Sequence, residues 1–340
     1  MIVLMRKGVG EAEISELLGF ASGMTASPPE IRRSGDTTLL HLPGTGSLED
    51  QLLRDLRGHP LVADVISQDP VWLLASRAFH PESTRVDVGG VEIGGERVVL
   101  MAGPCSVENE AQLRSAAEAA RAGGARILRG GAWKPRTSPW AFQGLHEEGL
   151  EMLRREADAL GLPVVTEVMA PDTVDLVASR ADMLQVGSRN IQNFPLLEAV
   201  GRQRKPVLLK RGMMSTLDEF LAAADYVLCQ GNPNVVLCER GIRTFVTRTR
   251  NTLDVAAIPL LKSLTHLPVI ADPSHATGRA DLVQPCALAA LAAGADGLLI
   301  EIHPTPETAL SDGPQALLPE AFRELASAAE RIVRALGRSL

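Results

Sequence analysis

The chain has 340 residues, 45% hydrophobic and 22% charged, a globular composition that excludes a disordered chain and allows one large domain plus a small one. Its formal net charge of -7 argues against nucleic acid as the main partner, because a phosphate backbone needs a broad basic surface. No apolar run reaches about eighteen residues, and Arg6 and Lys7 put charge too early for a signal peptide. The expectation is therefore a cytoplasmic protein with no membrane partner. Cys105, Cys229, Cys238 and Cys286 stand singly, without the spacing of a disulfide scaffold or zinc ribbon.

Residues 1–75 read as MIVLM, a helical EAEISELLGFASGM, EIRRSG, TTLLHLPG, a helical LEDQLLRDLRGHPLV and ADVISQ. The order βαββαβ predicts a small ferredoxin-like domain. Residues 76–97 read as a linker, with VGGVEIGGE as a hairpin closing the floor of a barrel. Within residues 98–340, eight apolar runs occur at 98–102, 125–131, 163–169, 181–187, 206–212, 234–241, 268–274 and 296–304. Helical stretches alternate with them, such as ENEAQLRSAAEAARAGG, whose acidic start and glycine-rich end suit helix caps. Parallel neighbours need a crossover connection, so this alternation predicts an α/β protein, a (β/α)8 TIM barrel. A doubly wound open sheet would carry a glycine-rich nucleotide signature after its first strand, and GPCSVEN is not one.

In such a barrel the active site lies where strands run into the following loops. Those ends are unusually polar here: Cys105, Arg129 with Lys134, Glu167, Arg189, Lys210, Arg240, Asp272 with His275, and Glu301. Burying charge without partners is unfavourable, and a shared ligand would supply them. The first and last strands become neighbours on closure, so Cys105, His275, Glu301 and Asp312 can converge on a divalent first-row metal. Singly, each has a plainer reading as core, loop or turn residue. His303 shares a strand face with Glu301 and rivals it as a ligand. The cations Arg129, Lys134, Arg136, Arg189, Lys210, Arg211, Arg240 and Arg243 read as a focused anion pocket. Within it, RGGAWKPRTSP supplies one loop, with Thr137 and Ser138 as hydroxyl donors. Arg189, Lys210 and Arg240 suit a second anion.

The motifs AGPCS, RGGAWKPRTSP, TEV, VGSRNIQNFPLL, PVLLKRGMMST, NVVLCERGIRTF, DPSHATGR and IEIHP followed by LSDG closely resemble the 3-deoxy-D-arabino-heptulosonate 7-phosphate (DAHP) synthases. The similarity is to the subgroup that is like 3-deoxy-octulosonate-phosphate synthases and bears an N-terminal ferredoxin-like domain. It runs in order from about residue 98 to 315. It implies that Cys105, His275, Glu301 and Asp312 bind a divalent metal, with Mn, Fe, Co and Zn all acceptable to that donor set. It implies that Arg129, Lys134, Arg189, Lys210 and Arg240 bind phosphoenolpyruvate, and that Arg136, Thr137 and Ser138 face the phosphate of erythrose 4-phosphate. Cys105, Lys134, Glu167 and His275 are then the expected catalytic set, with Glu167 orienting or deprotonating a water. Glu167 has a second reading, as salt-bridge partner of a nearby lysine. The resemblance further implies a homotetramer and, for the small domain, a tyrosine or phenylalanine effector. The alternatives are an octulosonate-phosphate synthase using arabinose 5-phosphate, whose loop differs from KPRTSP, and a non-catalytic phosphosugar-binding protein.

Overall fold

The computed structural model describes residues 1–25, 27–34, 37–43, 49–66 and 71–340. Its first elements are β1 (Ile2–Met5), α1 (Glu11–Ser22), β2 (Glu30–Ser34), β3 (Thr37–His41), α2 (Glu49–Arg57) and β4 (Val62–Ile66). The strands form an antiparallel sheet in the order β2-β3-β1-β4, which is the ferredoxin-like arrangement expected from the sequence. The expected runs also touched Gly35, Gly44, Leu48 and residues 67–68, which lie outside the described residues.

Alternation along β1 and β3 gives this sheet two apolar faces. Val3, Met5 and Leu40 pack with Ile14 and Leu17 of α1 and Leu52 and Leu56 of α2. Ile2, Leu4 and Leu39 point the other way and join the outer core of the large domain. The following segment is fastened down by side chains of that domain. Asp225 accepts the backbone N–H groups of Leu73, Leu74 and Ala75, and Trp72 Nε1 donates to Asp218 at 2.9 Å. His266 Nε2 donates to the Leu74 carbonyl at 2.8 Å, while its Nδ1 meets the Thr84 hydroxyl at 2.7 Å.

A hairpin comes next, β5 (Val86–Val88) paired with β6 (Val91–Ile93). Its two-residue turn is Gly89–Gly90, with φ of 57° and 87°, the left-handed pair that matches the twist of a tight hairpin and that glycine adopts freely. Val86, Val88, Val91 and Ile93 plug the bottom of the barrel, where they contact its inward side chains.

The barrel strands are β7 (Val99–Gly103), β8 (Ile127–Arg129), β9 (Val164–Val168), β10 (Met183–Val186), β11 (Val207–Lys210), β12 (Val235–Glu239), β13 (Val269–Ala271) and β14 (Gly297–Glu301). Each overlaps one of the eight runs read from the sequence. All neighbours are parallel, and β14 pairs with β7 from Gly297↔Val99 to Glu301↔Gly103, which closes the ring. The helices between them are α3 (Glu110–Ala122), α4 (His146–Leu160), α5 (Val174–Ala178), α6 (Phe194–Gly201), α7 (Leu217–Leu228), α8 (Ala257–Leu264), α9 (Pro273–Thr277) and α10 (Ala280–Ala292), and α11 (Pro319–Ala335) comes after β14. Local signals account for their starts: Asn109 caps α3 through Gln112 N–H, and Thr216 with Glu219 forms a capping box on α7.

Inside the barrel, Val99, Met101, Ile127, Val165, Met183, Leu208, Val236, Cys238, Ile270 and Leu299 form one apolar cluster with the hairpin. A period of two then sets the next inward residue on most strands: Arg129, Glu167, Gln185, Lys210, Arg240, Asp272 and Glu301. The core is thus apolar at its floor and ionisable at its mouth. Among the described residues no helix is long and apolar enough to cross a membrane.

Candidate active site

The segment Asp272-Pro-Ser-His275 shows how local sequence builds the site. Asp272 is the N-cap of α9 and accepts His275 N–H at 2.9 Å, with Pro273 at the first helical position. The same carboxylate takes His275 Nδ1 at 2.7 Å and Lys210 Nζ. One buried aspartate therefore starts the helix, sets the imidazole's orientation and leaves Nε2 facing the barrel mouth. At the first strand, a Cβ on Gly103 would fall 2.0 Å from the Arg129 carbonyl oxygen. Glycine is required there for β7 to run so close to β8 before the chain turns to Cys105.

Donor atoms of Cys105, His275, Glu301 and Asp312 all lie within 4.8 Å of one another. His275 Nε2 is 3.1 Å from Glu301 Oε1 and 3.9 Å from Asp312 Oδ2, and Cys105 Sγ is 3.3 Å from that same Oδ2. Their protonation preferences fit a cation. Burial pushes the Cys105 thiol up to about 12, reinforced by Glu301, so a thiolate here needs a compensating charge. Burial also opposes ionisation of Glu301 and Asp312, yet His275 with Arg129, and His275 with Arg250, hold the two carboxyls below their ordinary values. Burial lowers His275 against the pull of Asp272 and Glu301 toward its charged form, and a metal taking the neutral imidazole would replace that charge beside the carboxylates. One thiol, one imidazole and two carboxylates suit a divalent first-row ion. Asp312 sits in the left-handed region at φ 53°, ψ 28°, which aspartate tolerates better than most residues.

Beside this quartet opens a cavity of about 380 Å³ whose walls include Lys134, Arg136, Thr137, Ser138, Glu167, Arg189, Lys210, Arg240, His275 and Asp312. Arg240 is buried, and its Nε and Nη1 have no hydrogen-bond partner. Burial accordingly pulls its pKa down. An orphaned guanidinium on a cavity wall is a socket for an anion, because such groups are otherwise paired in folded proteins. Lys134 Nζ lies 3.0 Å from the Cys105 carbonyl oxygen and 3.1 Å from its Sγ. Gln185 Nε2 donates to Glu167 Oε2 at 3.2 Å, and among the described residues Glu167 has no ion pair, against its reading as a lysine's salt-bridge partner.

Four other expectations are redirected. Arg129 is not on the cavity wall: its Nη1 lies 2.7 Å from both Glu301 Oε1 and the Pro104 carbonyl oxygen. Arg211 leaves the anion pocket altogether, because it comes directly after Lys210 on a strand and points outward, where it bridges Glu239 at 2.8 Å and Asp254 at 3.0 Å. His303 is not in the donor quartet; beyond the end of β14 its Nε2 lies 3.5 Å from Glu108 and its Nδ1 accepts Thr305 N–H. Arg243 is exposed and does not line the cavity.

Residues 79–336 match the DAHP synthetase I family. The chain belongs to the DAHP synthetase I family. Across 339 residues it is 45% identical to a phospho-2-dehydro-3-deoxyheptonate aldolase of Thermotoga maritima, covering 99% of both chains. A 2-dehydro-3-deoxyphosphooctonate aldolase of Geobacter sulfurreducens is 31% identical over 71% of this chain and 96% of its own. The crystal structure of the Thermotoga maritima heptonate aldolase (DAHP synthase) superposes with a TM-score of 0.79 at 44% identity, over 99% of this chain and 98% of that one. A truncated form of the Thermotoga maritima synthase superposes at 0.74 with 48% identity, over 79% of this chain and 99% of its own.

For a DAHP synthetase I barrel, three residues of the site escaped the sequence reading. Gln185 had a usable signal, an amide at an inward position in an otherwise apolar strand. Arg250, whose Nη2 holds Asp312 Oδ1 at 2.9 Å, stands in a loop whose course no local pattern foretells. Gln315, buried and bonded to Glu301, lies three residues past the last expected ligand.

Proposed function

We propose that the chain condenses phosphoenolpyruvate with erythrose 4-phosphate to give 3-deoxy-D-arabino-heptulosonate 7-phosphate and inorganic phosphate, the first step of the shikimate pathway. The observation that carries this reading is the donor quartet, two of whose members, His275 and Asp312, stand on the wall of the same cavity as the unpaired Arg240 guanidinium. The site thus offers residues that would hold a Lewis acid beside an anion socket.

A divalent ion held by Cys105, His275, Glu301 and Asp312 would polarise the aldehyde of the aldose. Arg189, Lys210 and Arg240 hold the phosphate and carboxylate of phosphoenolpyruvate with its C3 toward that carbonyl, and Lys134 adds charge at the edge of the quartet. Arg129 acts through Glu301, which it braces. Arg136, Thr137 and Ser138, on the wall of the same cavity, hold the aldose phosphate. Bond formation between C3 and the aldehyde carbon opens the C=O double bond, whose oxygen takes a proton from solvent to become a hydroxyl, and leaves positive charge at C2, which a water attacks. Glu167, steadied by Gln185, orients that water and takes its proton. The resulting hemiketal phosphate breaks its C–O bond, and phosphate leaves.

Mn, Fe, Co and Zn all suit the donor set. We further propose a cytoplasmic homotetramer in which the ferredoxin-like domain responds to tyrosine or phenylalanine. Trp140, Phe245 and Met214, exposed by 94%, 96% and 80% on loops at the barrel mouth, support burial between subunits. Phosphate release, measured with phosphoenolpyruvate and either erythrose 4-phosphate or arabinose 5-phosphate, tests the reaction. Turnover should require the four-carbon sugar. A preference for arabinose 5-phosphate would mean octulosonate chemistry, and no release with either sugar would mean a binding protein.

A further inference from the structure

Among the side chains that touch the metal donors, Gln315 is the one whose presence the core does not explain. It is fully buried, and its Oε1 has no hydrogen-bond partner. An orphaned buried carbonyl is unfavourable, and a leucine or methionine of similar volume would avoid it. The amide orientation is forced by its other end, because Nε2 donates to Glu301 Oε2. Turning the amide over would place Oε1 against an ionised carboxylate. The unsatisfied acceptor is therefore the consequence of holding Glu301 in one pose.

That pose matters for the quartet. With Oε2 occupied by Gln315, Oε1, which also accepts from Arg129 Nη1 at 2.7 Å, is the oxygen turned to His275 Nε2 at 3.1 Å. Gln315 also sits in the turn Gly313–Gln315, directly after Asp312, and its N–H reaches back to the Asp312 carbonyl at 3.2 Å. The turn packs closely on the chain before it and needs glycine to do so, since a Cβ at Gly313 would lie 2.3 Å from the Pro306 carbonyl oxygen. One short turn thus presents Asp312 as a donor and clamps a second donor, Glu301, from behind.

We propose that Gln315 is a positioning residue for the metal, fixing Glu301 from the side opposite Arg129, so that the turn 312–315 presents one donor and helps to set a second. This rests on the quartet being a metal site. Outer partners of this kind typically contribute about 10–100-fold to metal affinity. Because glutamine is neutral, removing it changes geometry without changing the charge around the ion.

The test uses full-length protein and Gln315→Met, which keeps the volume and removes the donor. Co²⁺ and Zn²⁺ dissociation constants would be measured by competition with a chromogenic chelator, and melting temperatures recorded with and without metal. The expected result is metal binding weakened about 10–100-fold and a smaller rise in melting temperature on metal loading. The thiolate-to-cobalt absorption should persist, since Cys105 still binds. Should the methionine variant not fold, Gln315→Asn, which keeps the amide but shortens its reach, carries the same comparison. Unchanged metal affinity, with both metal-free and loaded forms melting lower by the same amount, would make Gln315 merely structural and overturn the proposal. If the unsubstituted protein binds neither ion, the metal site itself is wrong and the proposal falls with it.

Discussion

Lys210 and Arg211 are adjacent, both cationic and both buried, yet their surroundings give them opposite tasks. Lys210 points into the barrel toward Asp272, and Arg211 points out to Glu239 and Asp254. The contrast between Arg211 and Arg240 predicts a separation of activity from stability. Arg211→Met breaks a buried ion pair and strands Glu239, so unfolding free energy should fall by about 3–5 kcal/mol. Arg240→Met removes a guanidinium with unpaired nitrogens, so stability should hold or rise while the KM for phosphoenolpyruvate climbs by one to two powers of ten, on the order of a lost charge-assisted bond. Denaturant titration and steady-state kinetics check both, and a large stability loss in Arg240→Met would show that its charge is already satisfied. A second expectation concerns Cys105, whose thiol is held protonated by burial unless a cation is present. Chelation should abolish turnover and a divalent first-row ion restore it, whereas Cys105→Ala should not be rescued. Near-normal turnover by that variant in metal-free buffer would remove the thiolate from the reaction.

The segment between the two domains is held by two titratable groups, half-buried Asp225 and buried His266, whose effects oppose each other. Burial pushes Asp225 up to about 6, against the three backbone N–H groups that favour its charge. Burial pulls His266 down to about 4 from an ordinary 6.5. Folded Asp225 takes up its proton before the unfolded chain does, so it adds stability as pH falls from 6 towards its ordinary 3.8. Unfolded His266 takes up its proton first, so it removes stability as pH falls from 6.5 to 4. Each contributes on the order of 2 kcal/mol across nearly the same interval, once partial solvent screening is allowed for. They should nearly cancel. Melting temperatures between pH 7 and pH 4 are therefore expected to fall more steeply in Asp225→Asn than in the parent and less steeply in His266→Gln. Identical slopes in all three proteins would mean that neither group is displaced from its ordinary value.

At the level of the entire chain, the ferredoxin-like domain contributes, among the described residues, no donor and no residue to the active-site cavity; Ile2, Leu4 and Leu39 pack it against the barrel. Deleting residues 1–71, which spares the segment 72–75 bonded to Asp218, Asp225 and His266, should leave a folded, active barrel, less soluble because that contact becomes exposed. The truncated Thermotoga maritima form, which covers 79% of this chain, supports such a fold. The deletion should also abolish any response to tyrosine or phenylalanine, since an effector regulates only by binding one arrangement of the two domains better than another. Rates with each amino acid at millimolar concentration, before and after deletion, decide this. A full-length enzyme indifferent to both would leave the small domain without a regulatory role.

The eight strand runs and the βαββαβ order were readable because they depend on near neighbours, through a period of two and the signals that start and stop helices. The donor quartet was readable for a related reason, since barrel closure dictates which strand ends meet. Partner choice was not. Nothing local to Arg129 says that Glu301 stands opposite, nothing in IEIHP says that the chain leaves the sheet before His303, and nothing in SDGPQ says that Gln315 turns back beneath β14. Those outcomes depend on side chains brought together across 172, 195 and 14 positions of sequence respectively, and only the packed barrel specifies such contacts.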